Sequence, residues 1–215
     1  MADYFLTTGN VATAWQRFAV RTLAAFGWRV NFKPLPGPHG VLIVYPHTSN
    51  WDFIVGMLAK WAIGVHVHWL GKEALFRGIC GMTLGPLFRA WGGEPVERAS
   101  STGAIERLAH RIGAADEYWL ALAPEGTRKY RDCWRSGFYH IALTAGVPLG
   151  LAGLDYARKQ VRLIDYIELT GNRERDLAAI REVYADCKGM KPEFASPIDF
   201  NASAANTAPG NDRSA

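Results

Sequence analysis

An α/β fold, built as one domain with a mainly parallel sheet flanked by helices, is predicted by three features of this chain. Short apolar runs at 41–45, 118–122 and 147–153 have the length of buried strands. Longer helical stretches separate them, and that alternation winds a parallel sheet. At 215 residues and 49% hydrophobic, the chain is long enough to bury one good core and short for two.

The elements follow in order. Val11 to Phe26 has helical periodicity, with Trp15, Phe18, Ala19, Thr22, Leu23 and Phe26 on one arc and Arg17 and Arg21 on the other side. Such an amphipathic helix either packs its stripe on its own domain or lies at a lipid interface with the arginines at the headgroups. Pro34-Leu35-Pro36-Gly37-Pro38 is a rigid turn that ends this first element. A strand at 41–45, a helix at 51–63 and a strand at 65–70 come next. A helix over 72–90 is broken near Gly78 to Pro86. Then follow helix 101–112, strand 117–123, helix 136–145, strands 147–153 and 161–166, and a polar-faced helix over 173–188. The Ala-, Asn- and Ser-rich residues from 199 on read as a disordered tail. The predicted organisation is therefore an N-terminal helix in 1–33, a core domain in 34–198 and a tail in 199–215, with no internal repeat.

Composition narrows the function classes. Cys80, Cys133 and Cys187 share no metal-ligand or redox spacing and read as free thiols in a reducing compartment. His66 and His68 alternate on a short strand, but no third ligand accompanies them, so no metal site is expected. No stretch reaches the roughly 20 apolar residues of a spanning helix. The nearest, Phe53 to Val65, is interrupted by Lys60. The N-terminus lacks the pattern of a secretory leader, so a cytoplasmic protein is expected. A net charge of +4 and a pI near 9.0 agree with an anionic lipid surface and phosphate-bearing substrates. The eight tryptophans fill a core first, and also suit a membrane interface. Neither G-x-x-x-x-G-K-[ST] nor a strand-linked G-x-G-x-x-G is present, which argues against nucleotide binding. No nucleic-acid partner is expected.

The most informative segment is His47-Thr48-Ser49-Asn50-Trp51-Asp52, directly after the apolar run 41–45. Strand ends that open into helix starts are where α/β proteins collect reactive groups. Histidine accepts protons near neutral pH, and a carboxylate on its far nitrogen fixes the tautomer and steadies the imidazolium. Asp52 on its own also suits the plain role of capping the helix. A base without a nucleophile of its own has to activate a hydroxyl on the substrate.

A second such loop is Ala123-Pro124-Glu125-Gly126-Thr127-Arg128, after the apolar run 118–122 and before Lys129, Arg131 and Arg135. In a parallel sheet two such loops can meet at one edge. The glycine permits a tight turn, and an arginine fork grips a phosphate bidentately. Between them, Gly92-Gly93-Glu94-Pro95-Val96-Glu97-Arg98 reads as a turn delivering one guanidinium. Gly146 to Ala152 reads as a buried strand entered through Pro148.

In this order and spacing the four segments resemble the glycerolipid acyltransferases of the lysophosphatidic acid acyltransferase type. That family's first block, H-x-x-x-x-D, is matched by His47 and Asp52, and its P-E-G-T-R block by Pro124 through Arg128 without change. Gly93 with Arg98 matches the second block and Val147-Pro148 the fourth. The likeness spans about residues 40 to 155. Two departures stand out: Glu94 and Pro95 replace mostly apolar residues, and the stretch 129–135 is unusually cationic and aromatic.

The resemblance implies roles. His47 would be the general base, drawing the proton from an acceptor hydroxyl so that the oxygen attacks an acyl thioester, and Asp52 would orient it. Arg98 with Glu125, Gly126, Thr127 and Arg128 would hold the acceptor's phosphate and polar head. Loop N–H groups near the helix start are candidates for the oxyanion. The donor would be an acyl-CoA or acyl-carrier-protein thioester, with no further cofactor. The acceptor would be a lysophospholipid such as 1-acyl-glycerol-3-phosphate, met at the inner face of a membrane by a peripheral enzyme. The alternatives are a thioesterase or other hydrolase of acyl thioesters, an acyltransferase for a different polar lipid, and a silent lipid-binding module. A serine hydrolase lacks its G-x-S-x-G elbow here.

Overall fold

A computed structural model describes residues 4–77, 82–96 and 103–200. Among them the elements run α1 (Ala14–Ala25), β1 (Arg29–Phe32), β2 (His39–Tyr45), α2 (Trp51–Ile63), β3 (Val67–Lys72), α3 (Gly85–Ala90) and β4 (Gly93–Val96). They continue with α4 (Ala104–Ala114), β5 (Tyr118–Leu122), α5 (Gly137–Ala145), β6 (Leu149–Asp155), β7 (Gln160–Ile167) and α6 (Arg173–Tyr184). The strands form one seven-stranded sheet in the order β1-β7-β6-β2-β5-β3-β4. Every pairing is parallel except β6 with β7, a hairpin. The predicted α/β class and mainly parallel sheet are those observed.

Period-two alternation along β2 builds the two sides of the molecule. Val41, Ile43 and Tyr45 face a core shared with Ile112 of α4, Phe138 of α5 and Ile180 of α6. Leu42 faces the other way, beside Trp119 and Ala152. On that side α1 and α2 pack through Ala19, Leu23, Val55, Ala59 and Ala62. Gly40 is required by this packing: a Cβ there would stand 2.2 Å from the Trp119 ring.

Several expectations are corrected. The predicted helix over 72–90 is instead a 3₁₀ turn at Glu73–Leu75 and the short α3; residues 78–81 lie outside the described ones. β1 falls in the segment assigned to the N-terminal helix and β4 in the predicted turn at 92–98, yet each joins the sheet, so the sheet begins at Arg29, inside the 1–33 segment. Both lie at the sheet's edges, and an edge position is what lets β4 hold Pro95. The apolar arc of α1 divides: Ala19 and Leu23 are buried, whereas Trp15, Phe18 and Phe26 are exposed. The predicted tail includes Phe200, which is buried and bridges Trp134; residues 201–215 lie outside the described ones.

Candidate active site

Parallel pairing sets the site's location. Ile43 of β2 lies in register with Leu122 of β5, and Tyr45 with Gly153 of β6. The segments that follow these three strands therefore emerge side by side at the sheet's carboxyl edge, where α/β proteins bind ligands. They carry His47, Glu125 and Tyr156.

His47 leaves β2 just past the cis Tyr45–Pro46 peptide. Its Nδ1 lies 3.2 Å from Asp52 Oδ2, and its side chain is 20% exposed while that of Asp52 is 1% exposed. Nε2 takes no hydrogen bond among the described residues, which leaves it for a substrate. Asp52 sits in the first turn of α2, and its Oδ2 also accepts the backbone N–H of Thr48 at 2.7 Å and of Ser49 at 2.8 Å. α2 itself has no side-chain cap, so instead of capping the helix Asp52 ties down the loop before it, through the same oxygen that meets His47. Oδ1 accepts the Tyr156 hydroxyl at 2.7 Å. Burial pushes the Asp52 carboxyl upward, but hydrogen bonds from His47, the Ser49 amide and Tyr156 outweigh it and hold the group below its ordinary value. A charged Asp52 is the form that steadies an imidazolium.

Four of the loop amides that are candidates for an oxyanion are already engaged. Thr48 and Ser49 donate to Asp52, Trp51 donates to Ser49 Oγ, and His47 donates to Glu125. The sequence offered no sign of these commitments.

Glu125 differs most from its expected role. Its side chain is fully buried, with Oε2 accepting the His47 amide at 2.6 Å and Oε1 the Ser196 amide at 2.9 Å. Burial raises its pKa, against the pull of those two amides. The carboxylate is a clasp between backbone segments and is not turned toward an acceptor.

Pro124 is buried as well, whereas Gly126, Thr127 and Arg128 stay at the surface. Gly126 has φ of +64°, a left-handed turn that an L side chain would strain, and a Cβ there would lie 2.8 Å from Arg135 Nε. Thr127 Oγ1 accepts the Lys129 amide at 3.3 Å. Arg128, Lys129, Arg131 and Arg135 are all exposed, so four cations surround the turn. Arg98 lies outside the described residues; β4, which leads toward it, ends at the same sheet edge.

A strap not foreseen from sequence crosses behind these loops. The Lys191 amide donates to Thr48 Oγ1, the Ser196 carbonyl accepts the Tyr45 hydroxyl, and Ser196 Oγ accepts the Arg131 amide. Glu94, the unusual residue of the second block, accepts from Tyr118 and pairs with His68 and Arg111. His68 also stacks on Tyr118. Among the described residues no cluster of three or more His, Cys, Asp or Glu is placed to hold a metal.

Residues 29–150, more than half of the chain, match the family model described as Acyltransferase. The chain belongs to the Acyltransferase family. That stretch contains His47, Asp52 and Pro124 through Arg128. No curated protein matches the chain. Among solved structures it is similar to PlsC, the 1-acyl-sn-glycerophosphate (LPA) acyltransferase of Thermotoga maritima, at 17% identity and a TM-score of 0.52. The match covers 78% of this chain and 74% of that one. At this identity the likeness is one of fold. As an acyltransferase-family member, the chain has its H-x-x-x-x-D pair assembled at the strand end. No helix among the described residues is long and apolar enough to cross a membrane.

Proposed function

We propose that this protein transfers a fatty acyl chain from an acyl-CoA or acyl-carrier-protein thioester to the hydroxyl of a lysophospholipid such as 1-acyl-glycerol-3-phosphate. The observation that carries this reading is the His47–Asp52 pair, with Nδ1 engaged at 3.2 Å and the ring partly open. A pair of that form, with no serine or cysteine hydrogen-bonded to Nε2 among the described residues, suits a nucleophile brought by the substrate.

His47 Nε2 takes the acceptor hydroxyl's proton as the oxygen attacks the thioester carbonyl. The tetrahedral intermediate collapses, the C–S bond breaks, and the imidazolium returns the proton to the departing sulfur. An ester and a free thiol result. Asp52 holds the tautomer and steadies the transient cation. Arg128 and the Gly126–Thr127 turn, with Arg98, bind the acceptor's phosphate, since arginine matches phosphate bidentately. The acidic member of the motif, Glu125, serves this site by fixing the His47 backbone.

Peripheral attachment to the inner face of a membrane accompanies this reading. Trp15 and Phe18 stack at 5.2 Å on α1 and are 54% and 51% exposed. Trp15 also touches Trp61 of α2, and Trp51 and Ile54 are exposed on α2 next to the His47 loop. Arg17 and Arg21 supply cations on α1. Exposed aromatic and aliphatic side chains of this kind, beside cations, suit an anionic lipid surface.

Thiol release from acyl-CoA by the purified protein, with and without 1-acyl-glycerol-3-phosphate, tests the reading. Release that depends on the acceptor supports acyl transfer. Equal release without acceptor makes the protein a thioesterase. Release only with a non-phosphorylated acceptor sinks the phosphate assignment.

A further inference from the structure

We infer that Tyr156 is a positioning residue of this site: its hydroxyl locks the Asp52 carboxylate in the plane that orients His47. The inference rests on the reading of His47 as the base. Asp52 Oδ2 takes all its donors from residues 47–49, the same short loop. A carboxylate held through one oxygen by one loop can still swing about that oxygen. Among the described residues the one hydrogen bond to Oδ1 comes from Tyr156, 104 residues away in sequence.

Tyr156 is itself fixed from three sides. Its amide donates to the Lys188 carbonyl at 2.8 Å. Its ring stands edge-on to Trp28, with centroids 4.8 Å apart at 88°, and Trp28 is buried. The turn it opens is braced by the buried Asp155, which accepts from the amides of Ala157 and Arg158 and pairs with the Arg158 guanidinium. The hydroxyl therefore reaches Asp52 from a rigid hairpin. Burial and the Asp52 charge both raise its pKa, so it remains a proton donor throughout the working range. The resulting chain, Tyr156 to Asp52 to His47, fixes both carboxylate oxygens, and rigidly supported partners of a base improve its aim without touching substrate.

The test uses the full chain with acyl-CoA and 1-acyl-glycerol-3-phosphate, comparing wild type, Tyr156→Phe, Asp52→Asn and the double variant. Tyr156→Phe keeps the ring against Trp28 and removes only the hydroxyl. The expected result is a kcat lowered about tenfold, the scale of one hydrogen bond to a charged group, with both KM values within about twofold. In the Asp52→Asn background the same change lowers kcat by less than about twofold, because the two residues act as a unit. The downfield imidazole N–H proton of His47, followed by NMR, shifts in Tyr156→Phe. Site-specific 3-fluorotyrosine at 156, a stronger donor of nearly unchanged shape, shifts it as well and covers the case of a Phe variant that does not fold. An unchanged kcat and proton signal, or losses that simply multiply in the double variant, would overturn the inference. Wild-type protein without transfer activity would instead defeat the reading of the base, and the NMR signal alone would then decide the Tyr156–Asp52–His47 chain.

Discussion

The Glu125 carboxylate accepts the backbone N–H of His47 at 2.6 Å, tying the loop after β5 to the loop after β2. With its other oxygen on the Ser196 amide, this one buried side chain sets the positions of three segments far apart in sequence. The acidic residue of the P-E-G-T-R motif therefore acts by placing the His47 backbone. The exposed arginine of the same motif remains available to a ligand.

Glu125→Ala leaves the His47 and Ser196 amides buried without their acceptor. Loss of about 3 kcal/mol in stability is expected, the scale of two orphaned donors. Urea unfolding measures it. A variant as stable as wild type would remove the clasp from the argument.

Asp52→Asn should lower kcat by roughly 10⁴-fold, as when the carboxylate behind a catalytic histidine is neutralised, with little change in KM. The pH dependence of stability carries a separate signature. Asp52 is held below its ordinary value of 3.8, so its contribution is complete above that pH and is lost as pH falls through the lower native value. Unfolding free energies of wild type and Asp52→Asn should differ by a constant amount near neutrality and converge in acid. A gap that persists unchanged to about pH 2 would contradict the depressed carboxyl.

Gly126→Ala forces an L side chain into a left-handed turn and into Arg135. About 1 kcal/mol of stability is expected to go, and KM for a phosphorylated acceptor should rise more than kcat falls. Arg128→Ala should raise that KM roughly tenfold or more, as for loss of a charge-assisted contact, and leave the thioester KM alone. Steady-state kinetics with phosphorylated and neutral acceptors separates the cases. Equal losses on both acceptors would count against a phosphate contact.

Trp15→Asp and Phe18→Asp alter exposed positions, so the fold should survive. Sedimentation with anionic phospholipid vesicles should show the wild type bound and the double variant largely in the supernatant. Undiminished binding would exclude α1 as the lipid-facing element.

Legibility of the fold followed length and periodicity. The α2 helix, predicted at 51–63, is observed at Trp51–Ile63, because an apolar run of that length ends at Gly64, whose φ is +77°. β1 and β4 have four residues each and polar or proline interruptions, so period-two alternation had too little length to register. The continuous apolar run of β2 was readable as a buried strand, whereas which helix would cover each side depended on crossovers that local patterns do not encode. At the site, His47 and Asp52 are five residues apart and visible as a motif. Tyr156 and Ser196 reach the same place through tertiary contacts with residues 104 and 71 positions away, respectively, and nothing local marks them. Glu125 was visible as a motif residue, but its inward direction depends on the Ser196 strap.

The most direct measurement is ester formation from acyl-CoA and 1-acyl-glycerol-3-phosphate, followed by mass spectrometry for wild type and His47→Ala at matched thermal stability. Diacyl product from the wild type and none above background from His47→Ala is the expected result. Comparable product from His47→Ala would show that the proton is taken elsewhere, and His47 would no longer be the base.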